Sequence, residues 1–469
     1  MFTLPRQVRI IKCAILSPGL SQRASGADDR ARLDQYGFDI IPFVQGIDLY
    51  ESIFDNTISG TITLIENIGL PEYIPIVGVE VVVIAFAIDA KNDDGTDASR
   101  TFTHAFRITK VGDQTYPRHD YRLYTLHLAT HEFVTSISSR ICRAYRDVTC
   151  EGAVRDILAR DLFVSNSAII TDETTNGTLN VVIPNYTPLQ AINFFTTLAQ
   201  TKDTPRESNF LFFETLDGFH FTSIRALIKN APAKIKTLDI DPGMLSVAPH
   251  VKDTDAINSI TRLHQEQSFD LLMDIASGTL RSKMVHFDFL ARKLEFEGDS
   301  GYTESFKRTT HLDKYPVYPE GFDLSVSKNV RIFTVPSNVW TVDSPYVKRV
   351  GDELPEQRMY EAIVLRNRQL REIKHMQTLI DLPGQPDLRA GTVVNVNYPS
   401  TRHLQGNKTF MSSPVASQPT PYYSGKHIVS SVHHILASTG NGGMEYRMHI
   451  KVCRDSFGAP LIGSSAKET

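Results

Sequence analysis

Apolar and polar positions alternate cleanly in the first part of the chain. From Thr57 to Leu64, TISGTITL puts Ile58, Gly60, Ile62 and Leu64 on one face and Thr57, Ser59, Thr61 and Thr63 on the other. A period of two with β-branched residues predicts a half-buried strand. Val79–Ile88 (VEVVVIAFAI) is apolar on both faces, the pattern of a strand covered on both sides. Arg107–Val111 and Tyr121–Leu128 predict two further strands, and Asn92-Asp93-Asp94-Gly95 a polar hairpin tip. Residues 1–130 therefore read as a β-barrel domain.

The period then changes. Glu151–Leu162 carries Val154, Ile157 and Leu158 at helical spacing. A second helix has Thr187 as cap, Pro188 in its first turn and Gln190 completing a capping box, with Leu189, Ile192, Phe195, Leu198 and Ala199 on one face. Phe210–Phe213 and Phe219–Thr222 form a hairpin around Asp217-Gly218. Residues 131–235 are thus an α/β insertion with a returning β-hairpin. In 236–375, Phe269–Phe296 predicts a strand, a turn at Ser277-Gly278, then a strand and a helical stretch. Tyr302–Pro345 is rich in Pro, Tyr and polar residues and predicts a polar excursion. Glu353–His375, with Met359, Ala362, Ile363 and Leu370 at helical spacing, predicts a charged surface helix.

Residues 376–469 repeat the opening and complete a second barrel. Leu70-Pro71, Gly78 and Val81-Val82-Val83 are matched by Leu382-Pro383, Gly391 and Val393-Val394. TISGTITL corresponds to Gln377–Asp381, Phe106–Val111 to His427–Val432, and Tyr121–Leu128 to Tyr446–Val452. The order is the same in both copies, which predicts a duplicated barrel. Gly at the strand entry suits a corner that needs φ > 0. The fold class is mainly β (α+β): two related tube-type β-barrel domains, an α/β insertion and a polar excursion.

Composition narrows the function. Across 469 residues, 49 Lys and Arg oppose 53 Asp and Glu, a net charge of -4 that argues against an overall nucleic-acid coat while leaving a local basic groove open. With 41% hydrophobic and 22% charged residues, wholesale disorder is excluded. Four scattered cysteines, Cys13, Cys142, Cys150 and Cys453, predict buried or free thiols in a reducing compartment. Met1–Leu20 lacks a signal-peptide core, and Ile74–Ile88, broken by Gly78 and Glu80, falls short of a membrane span.

Candidate chemistry is thin. His131-Glu132 opens like a zinc-protease motif, but Thr135 stands where the second ligand belongs. His427, His433 and His434 read as surface or interface histidines, since adjacent strand positions face opposite sides. Gly440–Gly443 reads as a hairpin turn. The acid pairs Glu295/Glu297 and Asp203/Glu207 carry no sign of the raised pKa that general acid catalysis requires. Asn176, Asn185 and Asn407 satisfy N-x-S/T only by chance. Arg366, Arg368 and Arg371 read as a solvated helix face. No catalytic, cofactor or metal residue is nominated.

Several segments resemble the baseplate central hub proteins of contractile-tailed bacteriophages. They are Ser52–Leu64 followed by Leu70–Gly78, Pro188–Phe195 with the Asn209–Gly218 hairpin, and Leu382-Pro383-Gly384, Ala390-Gly391 and Gly425–His433. The similarity runs over most of the chain, and 300–350 match nothing. The resemblance implies a non-enzymatic homotrimer that adapts a hexameric tail tube to a trimeric cell-puncturing spike. Three chains with two barrels each present six similar units around one axis. Its partners would be further copies of itself, the tail tube protein, the trimeric central spike protein and other baseplate proteins. DNA would pass through the channel without specific binding, and the protein would assemble in the host cytoplasm into a virion. A tail-associated cell-wall hydrolase, or the spike base of a related contractile injection system, remain as alternatives.

Overall fold

The computed structural model describes residues 6–17, 37–73, 76–88, 100–118, 120–170, 173–202, 207–240, 259–288, 292–322, 331–336, 365–398, 420, 422–439 and 443–460. The first module is built from β1 (Arg6–Leu16), β2 (Phe38–Asp39), β3 (Val44–Ser52), β4 (Ser59–Glu66), β5 (Val81–Ile88), β6 (Arg100–Arg118) and β7 (Tyr121–Thr130). Its pairing order is β3-β4-β7-β6-β5-β1, and β2, which bends through Ile41–Phe43 into β3, closes the ring on β1. Alternation does what the sequence pattern predicts: Ile47, Leu49, Ile62, Leu64, Tyr124, Leu126 and Leu128 point into the core.

The insertion follows, with β8 (Ile141–Val148), β9 (Ile169–Ile170), β10 (Leu179–Tyr186), β11 (Phe210–Thr215) and β12 (Gly218–Ser223) around helices Cys150–Asp161 and Pro188–Leu198. The second helix carries the predicted capping box: Thr187 accepts from Gln190 N–H, and Gln190 accepts from Thr187 N–H. Ile157, Ile192, Phe195, Phe210 and Phe221 form its separate core.

The second module uses β13 (Lys236–Ile240), β14 (Ser259–Ile260) and β15 (Arg262–Gln267). A satellite sheet comprises β16 (Arg281–Asp288), β17 (Lys293–Gly301) and, beyond the short β18 (Tyr315–Pro316), β19 (Arg331–Pro336). Then come β20 (Met376–Pro383), β21 (Val393–Val396), β22 (Gly425–Ser438), β23 (Met444–Arg454) and β24 (Ser456–Phe457), the last paired with β18. The order β15-β20-β23-β22-β21-β13 closes through β14, which runs straight into β15 and pairs with β13. Counting β2 with β3 and β14 with β15 as single bent strands, each ring has six strands.

Pairing registers give the repeat at residue level. In β4-β7-β6-β5, Ile62 faces Leu126, Ile108 faces Leu128 and Val81 faces Arg107. In β20-β23-β22-β21, Ile380 faces Ile450, Val429 faces Val452 and Val393 faces Ile428. Both copies break register at the same place, between Ile108 and Lys110 and between Val429 and Ser431. Gly78 and Gly391 both have positive φ, 97° and 89°, as the corner reading requires. One element of the sequence repeat does not correspond. Leu382-Pro383 ends strand β20, with Leu382 opposite Met448 as Leu64 is opposite Tyr124, whereas Leu70-Pro71 lies in the short helix Leu70–Tyr73. One copy differs in closure: β1 runs antiparallel to β5, while β13 runs parallel to β21.

Three expectations are corrected. Leu271–Ser277 is a helix, not a strand, because the Asp270 side chain accepts from Met273 N–H and Gly278 ends the helix in the left-handed conformation. The described part of the polar excursion packs inward: Tyr302, Phe306 and Tyr318 form a core with Leu280. The described helix at 365–372 is not a surface helix, for Arg368, Glu372 and the adjacent His375 are buried. The Asn92–Gly95 tip, Gly440-Asn441-Gly442, Asp203 and Asn407 lie outside the described residues.

Candidate functional site

The two barrels do not sit side by side as separate rings. Beyond its pairing with β21, β22 continues and lays Ser431–Ala437 antiparallel against Ser52–Gly46 of β3. The start of strand β23 also reaches across, with Tyr446, Glu445 and Met444 opposite Arg6, Gln7 and Val8 of β1. Strands of the second barrel therefore extend the sheet of the first along this seam.

Behind the seam lies a buried polar node. Glu51 of β3 is sealed from solvent; Oε1 accepts from Leu216 N–H at 2.8 Å and Oε2 from Ala390 N–H at 3.1 Å. His434 Nε2 is 3.3 Å from Oε1 and Arg389 Nε 3.9 Å from it. Burial opposes ionisation of Glu51, but His434, the Arg389 charge and the Leu216 amide outweigh it and pull the carboxyl down to about 2. Burial in turn pushes the His434 imidazole below its ordinary value, and its Nδ1 lies 2.8 Å from the Tyr446 hydroxyl. Arg389 also reaches Asp217 at 3.3 Å and lies over the Phe102 ring. The β11–β12 hairpin tip is thus gripped by both barrels at once.

A second carboxylate behaves oppositely. Glu214 of β11 accepts from Ile58 N–H at 3.0 Å. Burial, with the charges of Glu132 and Glu51, raises its carboxyl to about 8, so it is protonated at neutral pH. The β11–β12 hairpin thus meets the first barrel at two acids, the ionised Glu51 of β3 and its own neutral Glu214.

On the outer side of the seam, a cross-strand row runs through Tyr50, His433, His449 and Asp381. Tyr50 stacks on His433 at 4.3 Å, and His449 meets it edge-on at 5.5 Å. Asp48 holds His433 Nε2 at 2.8 Å, and Lys451 pairs with Glu266 at 2.7 Å. Acids on this face thus stand beside basic or imidazole side chains of neighbouring strands.

The histidines are therefore divided. His433 is partly exposed as expected, but His427 and His434 are buried, contrary to the surface reading, because they alternate into the barrel interior. Burial and the neighbouring Arg454 press His427 down to about 3, so it stays neutral. Among the described residues His131 reaches Thr135, at 3.3 Å. Glu207 is bound to Arg225 at 2.9 Å and accepts from Thr310 N–H at 2.6 Å; Glu295 and Glu297 lie on β17. The arginines read as solvated are engaged: Arg366 donates to Ser208 O and Phe210 O, Arg368 to Gly301 O, and Arg371 Nε lies 3.3 Å from Asp274. A helix between the insertion and the satellite sheet thus supplies donors to backbone carbonyls of both. All four cysteines are free, and only Cys142 is exposed. Among the described residues, no group of three or more His, Cys, Asp or Glu side chains is placed to hold a metal ion. Sequence reasoning missed Glu51, Glu214 and Arg389; an acid within an apolar strand was the signal for the first two, and Arg389, between β20 and β21, carried none.

No family model matches the chain, and no curated protein matches it. Among solved structures it is similar to a tail protein from Neisseria meningitidis MC58, at 12% identity and a TM-score of 0.47, covering 88% of this chain and 93% of that one. It is also similar to the 43 kDa tail protein of prophage MuSo2 from Shewanella oneidensis, at 10% identity and a TM-score of 0.45, covering 88% and 94%. A third is an E. coli component of the type VI secretion system, described as structurally similar to bacteriophage T4 tail proteins, at 10% identity and a TM-score of 0.41, covering 88% and 74%.

Proposed function

We propose that this protein is a structural hub of a phage tail baseplate, a homotrimer that joins a hexameric tail tube to a trimeric spike around a central channel. The observation that carries this reading is the register-level repeat: one chain holds two six-stranded barrels of the same pairing order. Three such chains offer six similar barrels to a sixfold partner while keeping a threefold axis for the other. On the outer face of the seam Lys451 is paired with Glu266, and Asp48 and Asp381 add acidic groups. This suits a surface beside DNA that must not grip it, because unpaired cations are what bind phosphates. The resemblance of Ser52–Leu64, Pro188–Phe195 and Gly425–His433 to hub proteins supports the same assignment.

Mass photometry of the purified chain should show a species near three times 52.6 kDa, and mixing with the tail tube and spike proteins of the same genome should yield a co-assembly. A chain that stays monomeric and captures neither partner sinks the hub reading. Zymography on peptidoglycan should give no clearing; clearing by the isolated chain would favour a wall hydrolase instead.

A further inference from the structure

The junction inside the chain is a template for one between chains. In the second barrel, β22 stops pairing with β21 at Ile428, and its extension Ser431–Ala437 is taken up by β3. In the first barrel, β6 stops pairing with β5 at Arg107, yet runs on to Arg118. Along this extension β7 occupies one edge, and the other edge has no strand partner among the described residues. The counterpart of β3 in the second barrel is β15: β3 pairs with β4 as β15 pairs with β20. Beyond Ile260, the far edge of β15 has no strand partner among the described residues either. The internal junction thus uses one copy of each element, and one copy of each is left open.

We propose that the open edge of β6 pairs antiparallel with the open edge of β15 in a second copy of this chain. This deepens the hub reading and rests on it for the number of copies. Registers specify the contact. Thr115 faces Leu123 as Ile435 faces Arg447, and Asp48 faces Thr61 as His264 faces Leu379. Ile435 is opposite Asp48 within the chain, so Thr115 falls opposite the second copy's residue at position 264. The bulge around Asp113, whose φ is 52°, absorbs the one-residue difference between the copies, and Pro117, which has no N–H, bounds the ladder.

Apolar side chains gather beside both edges. Val111, Tyr116 and Tyr121 are exposed at the end of the β6–β7 ribbon, and Phe269, Leu272 and Met273 are exposed just past β15. Long open edges with exposed apolar neighbours are hazards that folded chains blunt or cover. Addition of a strand satisfies the edge amides and carbonyls. The contact is head-to-tail, with different surfaces on the two sides, and such contacts close into rings when the rotation permits.

Residues opposite each other in an antiparallel pair have Cα atoms about 4.5–5.5 Å apart, within reach of a disulfide. The test uses full-length protein carrying Cys142→Ser, which removes the exposed thiol. Thr115→Cys protein is mixed with His264→Cys protein, re-equilibrated and oxidised, with circular dichroism to check the fold. The expected result is a covalent dimer in the mixture only. A Thr115→Cys sample that links to itself, or an assembled mixture with no link, overturns the proposal. So does a chain that remains monomeric. Hydrogen exchange on the unsubstituted protein gives a second readout: amides of 110–116 should be protected at least tenfold on assembly, and unchanged exchange overturns the pairing. A mixed link within a ring of other than three copies upholds the edge pairing and removes the trimer; a trimer without the link does the reverse.

Discussion

The two barrels share a pairing order but differ in how they are held. The first is closed almost entirely by apolar packing, with a few buried polar groups such as Glu51, Glu66 and Glu80 at its ends. The second is bound to its surroundings by buried charge. Arg454 of β23 donates to Tyr423 O and Ser424 O and pairs with Asp313 at 2.6 Å. Asp455 meets His311 at 2.8 Å, and Asp274 receives the Tyr318 hydroxyl at 2.7 Å with His375 at 3.0 Å. The same strand order thus serves a ring packed by apolar side chains in one case and a docking frame for 271–322 in the other. Charged ties fix position and register, whereas apolar contacts supply most of the burial energy.

Equivalent positions expose that contrast most strongly. Registers match Thr130 of β7 with Arg454 of β23, since Ala129 and Cys453 occupy corresponding pairs. Arg454→Met strands Asp313 and two carbonyls and should cost about 3–5 kcal/mol. Thr130→Ala, at a helix start where the hydroxyl makes no cap bond, should cost about 1 kcal/mol or less. Urea titrations of both variants measure the difference; equal losses would mean the barrels are held alike.

The node between the barrels should show itself in acid. Glu51 is ionised in the fold with its carboxyl at about 2, against an ordinary value of 4.5. Its contribution is complete above pH 4.5 and is lost as pH falls towards 2. Glu51→Gln should destabilise the protein at pH 7 by about 2 kcal/mol or more, while flattening the acid side of the stability profile. A variant as acid-sensitive as the parent would exclude Glu51 as the cause.

Glu214 predicts the reverse slope. Its folded carboxyl sits at about 8, above the ordinary 4.5, so the fold binds a proton that the unfolded chain releases. Stability should therefore fall as pH rises from 4.5 through 8, by on the order of 1 kcal/mol per pH unit. Glu214→Gln keeps an acceptor for Ile58 N–H and should remove that slope between pH 6 and 9 in thermal unfolding.

The smallest effect compares the two corners. Gly78→Ala and Gly391→Ala both force a side chain to positive φ, costing about 1 kcal/mol or more. At Gly391 the added Cβ also meets Phe213 at 3.2 Å, whereas at Gly78 its nearest contact is Ile108 O at 3.7 Å. Gly391→Ala should therefore lower the melting temperature further.

Much of the fold was readable because it is local. Period-two alternation from Ser59 to Leu64, the capping box at Thr187 and Gln190, and the Asp217-Gly218 turn act within a few residues. The repeat was also visible, since corresponding strands face equivalent cores and keep similar residues. Its Leu-Pro match failed because a dipeptide carries no register. The helix at 365–372 was read as solvated because Arg, Glu and Gln are usually exposed; only its neighbours reveal that Arg366 caps carbonyls of another module.

Strands with clean alternation, helices with a marked cap and the internal repeat are legible in the sequence, because periodicity and turn chemistry are short-range. How the barrels join is instead set by contacts distant in sequence. Whether β22 pairs with β3 or with solvent depends on contacts almost four hundred positions apart along the chain, such as His433 with Asp48. The ionised Glu51 and the protonated Glu214 likewise have the same side chain, and burial with different partners alone makes them opposite.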